Sequence, residues 1–130
     1  MTKIIIASGP VIVENNKVLL CKHGDTSFWK FCGGKVENFD NDLIESATRE
    51  AKEEMGINIK ILDDEPYITF ARKETDNGAM DIVLVHFLAE RVGEIKPGIG
   101  IREWRWFDLN DLPNDLGPNI LPVLKYFKFI

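Results

Sequence analysis

The apolar positions of this chain form several short runs with strand-like spacing, placed before and after one stretch with helical spacing. We predict a first strand over residues 4–14, interrupted at Gly9-Pro10, and a turn at Asn15-Asn16 that leads into a second strand. Later strands are expected at 57–62, 67–72, 81–90 and 101–107. Because residues 81–90 are almost continuously apolar, we expect that strand to be central and covered on both faces.

One helix is marked at both of its ends. Asp42 and Glu45 have the spacing of a capping box, and Gly56 suits the left-handed residue that follows a helix. The helix should therefore run from about residue 43 to about residue 55. Its apolar stripe should pack on the body of the domain and consists of Ile44, Ala47, Ala51 and Met55. A second helix is predicted from Leu116 onward.

Three carboxylates lie together on one flank of the first helix. Glu50, Glu53 and Glu54 stand at i, i+3 and i+4, so their side chains are neighbours. Like charges at this spacing, near the negative end of the helix dipole, destabilise the helix, and a divalent cation would reverse that effect. Hard oxygen ligands suit Mg²⁺ or Mn²⁺. An acidic run is usually just a solvated face, so the acids alone do not establish a metal site.

Composition and charge are those of an ordinary globular domain. With 130 residues, 45% of them hydrophobic, the chain has room for a single domain, residues 1–130, with one core. A net charge of −5 argues against a nucleic-acid polymer or an anionic membrane as partner, but not against a nucleotide accompanied by Mg²⁺. The apolar run Met1–Ala7 is too short for a signal or membrane segment. Cys21 and Cys32 are expected to be free thiols in a cytoplasmic protein, with a disulfide left open.

The glycine-rich loop before the helix changes the interpretation of the acids. Residues 33–37, GGKVE, and 49–57, REAKEEMGI, together resemble the Nudix box of the MutT-like Nudix hydrolases. The second half of that motif is met in full. The resemblance implies an α/β fold, the Nudix-type α/β/α sandwich, with a mixed sheet between the box helix and a C-terminal helix. It also implies a Mg²⁺- or Mn²⁺-dependent pyrophosphohydrolase, in which water attacks phosphorus in a nucleoside diphosphate derivative.

The resemblance also implies a role for each acid of the box. Glu50 and Glu54 would be the main metal ligands, Glu53 a further ligand or the base that orients water, and Gly33 a ligand through its backbone carbonyl. Arg49 would pair with the acids and hold them in place, so the predicted catalytic residues are Glu53, Glu54 and Arg49. Which acid accepts the proton is left open.

Four residues are predicted to contact the substrate, namely Phe31, Gly34, Lys35 and Asn119. In the family, the strand that would contain Phe31 borders the nucleotide pocket. Some members place an asparagine that reads a purine base near the position of Asn119. Lys35 and the loop at 94–100 are expected near the substrate, although a solvated loop cation would explain Lys35 equally well.

The first half of the box departs from the family pattern. Asn41 stands where the family has a glutamate, and the spacing from Gly34 is one residue longer than usual. In the family that glutamate mainly supports the loop and the helix arginine, so Asp40 or Asp42 could replace it as the partner of Arg49. The departure motivates an alternative function, a non-catalytic Nudix-like module that binds a nucleotide or a protein. The retained acids favour the enzyme.

The sequence indicates the type of reaction more closely than it indicates the substrate. The sequence lacks the motifs of the coenzyme A and NADH branches and shows no clear ADP-ribose mark. A nucleoside triphosphate and a nucleotide sugar or dinucleotide both stay open, and the short loops favour the triphosphate. A homodimer is compatible with the sequence, which does not determine the oligomeric state. His23 is expected to be a loop residue and His86 a packed, hydrogen-bonded residue of its strand.

Overall fold

The computed structural model describes residues 3–130, in which seven strands form one mixed sheet and two helices pack against it. Met1 and Thr2, which belong to the predicted domain and to the amino-terminal apolar run, lie outside the described residues. The strands are β1 Lys3–Glu14, β2 Lys17–His23, β3 Gly34–Lys35, β4 Asn58–Ile61, β5 Tyr67–Thr75, β6 Gly78–Val92 and β7 Ile101–Asp108. The helices are α1 Leu43–Met55 and α2 Ile120–Tyr126.

Strands β1 and β6 form the centre of the sheet. They run parallel, in register from Lys3 opposite Met80 to Ile12 opposite Ala89, and the other strand pairs of the described chain are antiparallel. β4 and β5 pair with β6, β3 and β2 pair with β1, and β7 pairs with β2 at the edge. In β6, the consecutive residues at 85–87 are all buried, so both faces of this strand are covered, as the apolar run predicted.

The predicted interruption of the first strand at Gly9-Pro10 is wrong. β1 is continuous through both residues. Along one edge, β1 pairs with β3 at Ala7 and Ser8 and with β2 from Val13 onward. Pro10 lies between these two short ladders, where its missing N–H does not interrupt a pair. A proline is therefore compatible with a central strand when the neighbour on one side changes at that point.

Helix α1 begins and ends where its flanking residues predict. The Asp42 carboxylate accepts the Glu45 N–H at 2.7 Å, which is one half of the capping box. The other half is not made, because the Glu45 carboxylate accepts a hydrogen bond from Asn41 instead. Gly56 has a φ of 69° and its N–H bonds the Lys52 carbonyl, as expected of a left-handed helix end. The longer of the two described helices has 13 residues, and no described helix is long and apolar enough to cross a membrane.

Helix α2 begins later than predicted, because residues 116–119 first form a bridge and a turn. Leu116 pairs with Trp29, and the Ile120 N–H bonds the Gly117 carbonyl before the helix starts. The strand expected around Phe31 is also absent, and the stretch 28–31 makes only isolated bridges. Lys30 bonds to β2 whereas the Trp29 N–H bonds the Asp115 carbonyl, so successive residues have different partners and no ladder can extend.

The two helices cover opposite faces of the sheet. Successive residues of β1 show this directly: Val11 packs in the cluster that contains Val123 of α2, and Ile12 packs in the cluster that contains Met55 of α1. Successive side chains of a strand point to opposite faces, so each helix packs on its own layer. The architecture is the predicted α/β/α sandwich. The carboxylates of α1 contact the glycine loop, which includes β3.

Candidate active site

The guanidinium of Arg49 connects the glycine loop with the acids of α1. Its Nε and Nη2 each donate to one oxygen of Asp40 at 3.0 Å, and Nη2 also donates to the Lys35 carbonyl at 3.1 Å. Its Nη1 donates to Glu50 Oε1 and to Glu53 Oε2, both at 3.1 Å. One planar side chain therefore holds the loop and two carboxylates in a common geometry.

Asp40 takes the position that the missing glutamate of the motif leaves open. Its side chain is only 1% exposed, and besides Arg49 it accepts the Glu37 N–H at 2.9 Å. Hydrogen bonds from Arg49 in the first place lower the pKa of Asp40 from 3.8 to about 2. Asp42, the other candidate, is occupied as the helix cap, and Asn41 bonds Glu45. The loop thus supplies the carboxylate partner of Arg49 from residue 40, one position before the residue that the motif would use.

Glu50 is a buried acid pressed against the glycine loop. The residue is 8% exposed, and a Cβ added at Gly34 would lie 2.6 Å from its carboxyl carbon and oxygens. A larger residue at position 34 would displace this carboxylate from its observed position. Burial, and next the charge of Glu54, raise the pKa of Glu50. Because Glu50 is poorly solvated, a bound cation would stabilise its ionised form more than that of a surface carboxylate.

Glu54 reaches both the loop and the end of β2. Its Oε1 accepts the Gly33 N–H at 2.8 Å, and its Oε2 lies 2.6 Å from Nε2 of His23. His23 is the last residue of β2 and is directed toward the acids, a contact that the sequence did not reveal. The thiol of Cys21, two residues earlier, completes a group whose ligand atoms lie within 4.8 Å of one another.

The donor set fits a hard divalent cation. Glu54 is close enough to Glu50 for its charge to add to the effect of burial in raising the pKa of Glu50, and Glu53 shares Arg49 with Glu50. Carboxylate oxygens, one of them buried, are the ligands that such cations prefer. The Gly33 backbone is tied to Glu54 and thereby belongs to the same constellation.

A cavity of about 570 Å³ opens at the glycine loop, whose Gly33 and Gly34 contact Glu54 and Glu50. This is within the usual size range of small-molecule sites. Three of the predicted substrate contacts line it, namely Phe31, Gly34 and Asn119. Lys35 does not line it; the residue is exposed, and its carbonyl serves Arg49. The loop at 94–100 is also outside the cavity wall, because it packs on the end of α1 through bonds from Lys96 to Met55 and from Gly98 to Glu54.

Asn119 is held at the cavity by a buried histidine. Its Nδ2 lies 2.9 Å from Nε2 of His86, and Nδ1 of His86 lies 3.2 Å from the Tyr67 carbonyl. A carbonyl can only accept, so Nδ1 carries the proton and Nε2 accepts from Asn119. Burial lowers the pKa of His86 to about 4, which keeps the ring neutral near pH 7.

His86 is the hydrogen-bonded strand residue that the sequence predicted, but its partner was missed. Asn119 lies 33 residues further along the chain, and no local pattern connects the two. Asn119 also occupies the cap position of α2 without making a side-chain cap bond. An asparagine that leaves a helix uncapped is the structural sign that its amide is used elsewhere.

Comparison with known proteins agrees with this geometry. The NUDIX domain family matches residues 5–127. The ADP-ribose pyrophosphatase of Methanocaldococcus jannaschii is 33% identical over 112 residues, which is 83% of this chain and 64% of that protein. The chain therefore spans slightly less than two thirds of the length of this curated relative.

Solved structures share the same architecture. A MutT NUDIX hydrolase from Burkholderia pseudomallei superposes with a TM-score of 0.76 at 24% identity, over 95% of this chain and 97% of that one. A NUDIX hydrolase from Nitrosomonas europaea gives a TM-score of 0.66 at 27% identity, over 91% of this chain and 65% of that one. By its sequence match along nearly the whole chain and by its fold, this chain belongs to the Nudix hydrolase family.

Proposed function

We propose that this chain hydrolyses a pyrophosphate bond in a nucleoside diphosphate derivative, with Mg²⁺ or Mn²⁺ held by Glu50, Glu53 and Glu54. One observation carries the proposal: Gly33 and Gly34 contact the acids of α1 and also line the cavity. The Gly33 N–H bonds Glu54 and Gly34 lies against Glu50, while both glycines line the cavity. A substrate in the cavity would therefore reach the acids with its phosphates.

The chain's own residues have distinct roles in this reaction. The bound cation would neutralise phosphate charge and lower the pKa of a coordinated water. Arg49 holds Glu50 and Glu53 at fixed positions through hydrogen bonds of 3.1 Å. The side chain of Glu53 is 57% exposed and has one oxygen free of Arg49, so it can orient water or accept its proton.

The nucleoside part of the substrate would lie toward Asn119. The amide of Asn119 keeps its oxygen and one N–H for a ligand while the other N–H bonds His86. A base edge that offers both a donor and an acceptor matches this pair of groups. Phe31 is 6% exposed and forms part of the apolar wall beside it.

Two substrate classes are supported by different observations. The relative that is an ADP-ribose pyrophosphatase supports a nucleotide sugar. The short loops of the sequence favour a nucleoside triphosphate. A non-catalytic binding module is the alternative, and the buried Glu50 argues against it, because a binding protein has no evident need for a poorly solvated acid beside two others. The free thiols at Cys21 and Cys32 are in keeping with a cytoplasmic location.

The decisive experiment is turnover of a substrate panel with matched variants. Nucleoside triphosphates, dinucleotides, ADP-ribose and other nucleotide sugars would be incubated with Mg²⁺, with Mn²⁺ and with chelator, and the products separated by chromatography. We expect metal-dependent turnover that the double variant Glu53→Gln/Glu54→Gln loses. Glu45→Gln, on the same helix but outside the acid group, is the control and should retain turnover. Nucleotide binding without turnover of any panel member would establish the binding module instead.

A further inference from the structure

A cysteine and a histidine from β2 lie close to Glu54 of α1. Cys21 and His23 are two residues apart at the end of this strand. The register between β2 and β7 shifts between Lys22 and His23. Such irregularities re-aim side chains and are frequent beside functional sites. The ligand atoms of Cys21, His23 and Glu54 lie within 4.8 Å of one another.

Within this group, Glu54 accepts the Gly33 N–H through one oxygen and contacts His23 through the other. Nε2 of His23 is shielded from solvent and lies 2.6 Å from Glu54 Oε2. Cys21 is a fully buried free thiol. The proposed hydrolysis needs neither side chain. The group therefore brings an imidazole nitrogen, a carboxylate oxygen and a buried thiol together in one place.

We propose that Cys21, His23 and Glu54 bind a zinc-class divalent cation, a site distinct in its chemistry from the hard-cation site of the three helix acids. Thiolate and imidazole are ligands that Zn²⁺ and Co²⁺ prefer and that Mg²⁺ avoids. Zinc lies about 2.0–2.3 Å from such ligands, which places them roughly 3.5 Å apart in a tetrahedron. The observed separations reach 4.8 Å, so binding would draw the three side chains closer together. The S–H bond of Cys21 breaks as the sulfur–metal bond forms, and the proton goes to solvent.

The proposed soft site shares one ligand with the proposed hard site. Glu54 cannot serve both cations fully, so zinc bound by Cys21 and His23 would draw this carboxylate away from Mg²⁺ or Mn²⁺. This consequence rests on the proposed function, whereas the binding of zinc itself does not. Occupation of the soft site would therefore lower hydrolysis that depends on the hard site.

The test is a Co²⁺ titration of the metal-free protein, without substrate and under reducing conditions. Thiolate bound to Co²⁺ gives a charge-transfer band in the near ultraviolet, which carboxylate ligands do not give. We expect the band in the unmodified protein and in Cys32→Ala, and its loss in Cys21→Ala. Cys32 is a matched control because it is also a buried free thiol in the same apolar cluster. His23→Ala should weaken Co²⁺ binding at least tenfold.

Two results would overturn the soft site. One is the absence of a charge-transfer band in the unmodified protein, and the other is a band that disappears with Cys32→Ala but not with Cys21→Ala. His23 is half-buried, so His23→Ala keeps the test meaningful if a cysteine variant does not fold; Co²⁺ binding that this variant leaves unchanged also contradicts the site. Because no substrate is present, the outcome is independent of whether the protein hydrolyses any nucleotide.

Discussion

At the scale of single residues, the pair of Asp40 and Arg49 decides how the helix acids are arranged. The two oxygens of Asp40 occupy Nε and Nη2 of the guanidinium, which leaves Nη1 for Glu50 and Glu53. This division requires the planar fork of arginine, and a lysine could not reproduce it. Asp40 thus controls the positions of acids that it does not touch.

Substitution of Asp40 should loosen the acid group without removing any acid. Asp40→Asn keeps the size of the side chain but removes the charge that holds Arg49, so Arg49 can compete with a cation for Glu50 and Glu53. Loss of such an outer partner typically weakens metal binding roughly 10–100-fold. Calorimetric titration with Mn²⁺ measures this. Asp42→Asn is the control, since asparagine caps a helix about as well as aspartate; equal losses in the two variants would contradict the role of Asp40.

The same pair predicts a pH dependence of stability. The pKa of Asp40 is lowered from 3.8 to about 2 in the folded protein. Its ionised form therefore stabilises the fold above its ordinary pKa, and this contribution is lost as the pH falls toward 2. In urea unfolding, the unmodified protein should exceed Asp40→Asn in stability at pH 7, and the two should converge near pH 2. A difference that is independent of pH would show that the charge of Asp40 is not responsible.

The hydrogen bond between His86 and Asn119 should also affect the proposed reaction. His86→Phe preserves an aromatic ring against Phe31 but removes the acceptor that orients the Asn119 amide. A hydrogen bond is worth about 0.5–1.5 kcal/mol, so kcat/KM should fall roughly 2–10-fold. Asn119→Ala should cost at least as much. If His86 acts through Asn119, the double variant is no worse than Asn119→Ala. Additive losses in the double variant would assign His86 a purely structural role.

At the scale of elements, the loop at 94–100 fixes the end of α1 on which two acids lie. The Lys96 N–H bonds the Met55 carbonyl at 2.7 Å, and the Gly98 N–H bonds the Glu54 carbonyl at 2.8 Å. These carbonyls would otherwise be the unsatisfied acceptors of the helix terminus. The loop therefore affects the acids by holding the backbone of Glu54, not by lining the cavity.

Gly56→Ala should destabilise the protein by disturbing the contact between the loop at 94–100 and the end of α1. Gly56 has a φ of 69°, and an added Cβ would lie 2.5 Å from the Lys96 carbonyl oxygen. The left-handed conformation alone costs a non-glycine residue about 1–2 kcal/mol, and the displaced loop adds to that. Gly24→Ala is the control, with a φ of 44° but nothing within 4 Å of its Cβ. In urea unfolding, we expect Gly56→Ala to lose more unfolding free energy than Gly24→Ala. Equal losses would show that displacing the loop does not destabilise the protein.

At the scale of the whole molecule, the buried Glu50 lowers the stability of the fold, and the proposed metal binding would offset that loss. The pKa of Glu50 is raised above its ordinary value, so its ionised form destabilises the fold, a penalty that is present at pH 7 and disappears as the pH falls. Glu50→Gln should therefore raise the Tm of the metal-free protein by a few degrees.

With added Mn²⁺, the unmodified protein should instead have a higher Tm than Glu50→Gln. A ligand at 100 times its Kd stabilises by about 2.7 kcal/mol, and Glu50→Gln should lose most of this gain. Differential scanning calorimetry with and without Mn²⁺ measures both effects. Glu53→Gln is the control, because its exposed side chain carries little burial penalty and should bring no gain in metal-free Tm. A metal-free Glu50→Gln that melts at or below the unmodified protein would contradict the predicted penalty.

The sequence by itself determined the features that depend on local spacing. The bounds of α1, its left-handed end at Gly56, the grouping of three acids on one flank and the central position of β6 all follow from periodicity and capping within a few residues. The motif around α1 also predicted the family and the sandwich.

The tertiary structure alone decided which distant groups meet. The choice of Asp40 over Asp42, the bond between His86 and Asn119, and the approach of His23 to Glu54 depend on strand register and on how α1 packs on the sheet. The unbroken β1 through Pro10 depends likewise on where one neighbouring strand replaces another. A sequence records spacing along one chain, whereas these contacts arise between elements whose relative placement is set by burial and pairing over the whole domain.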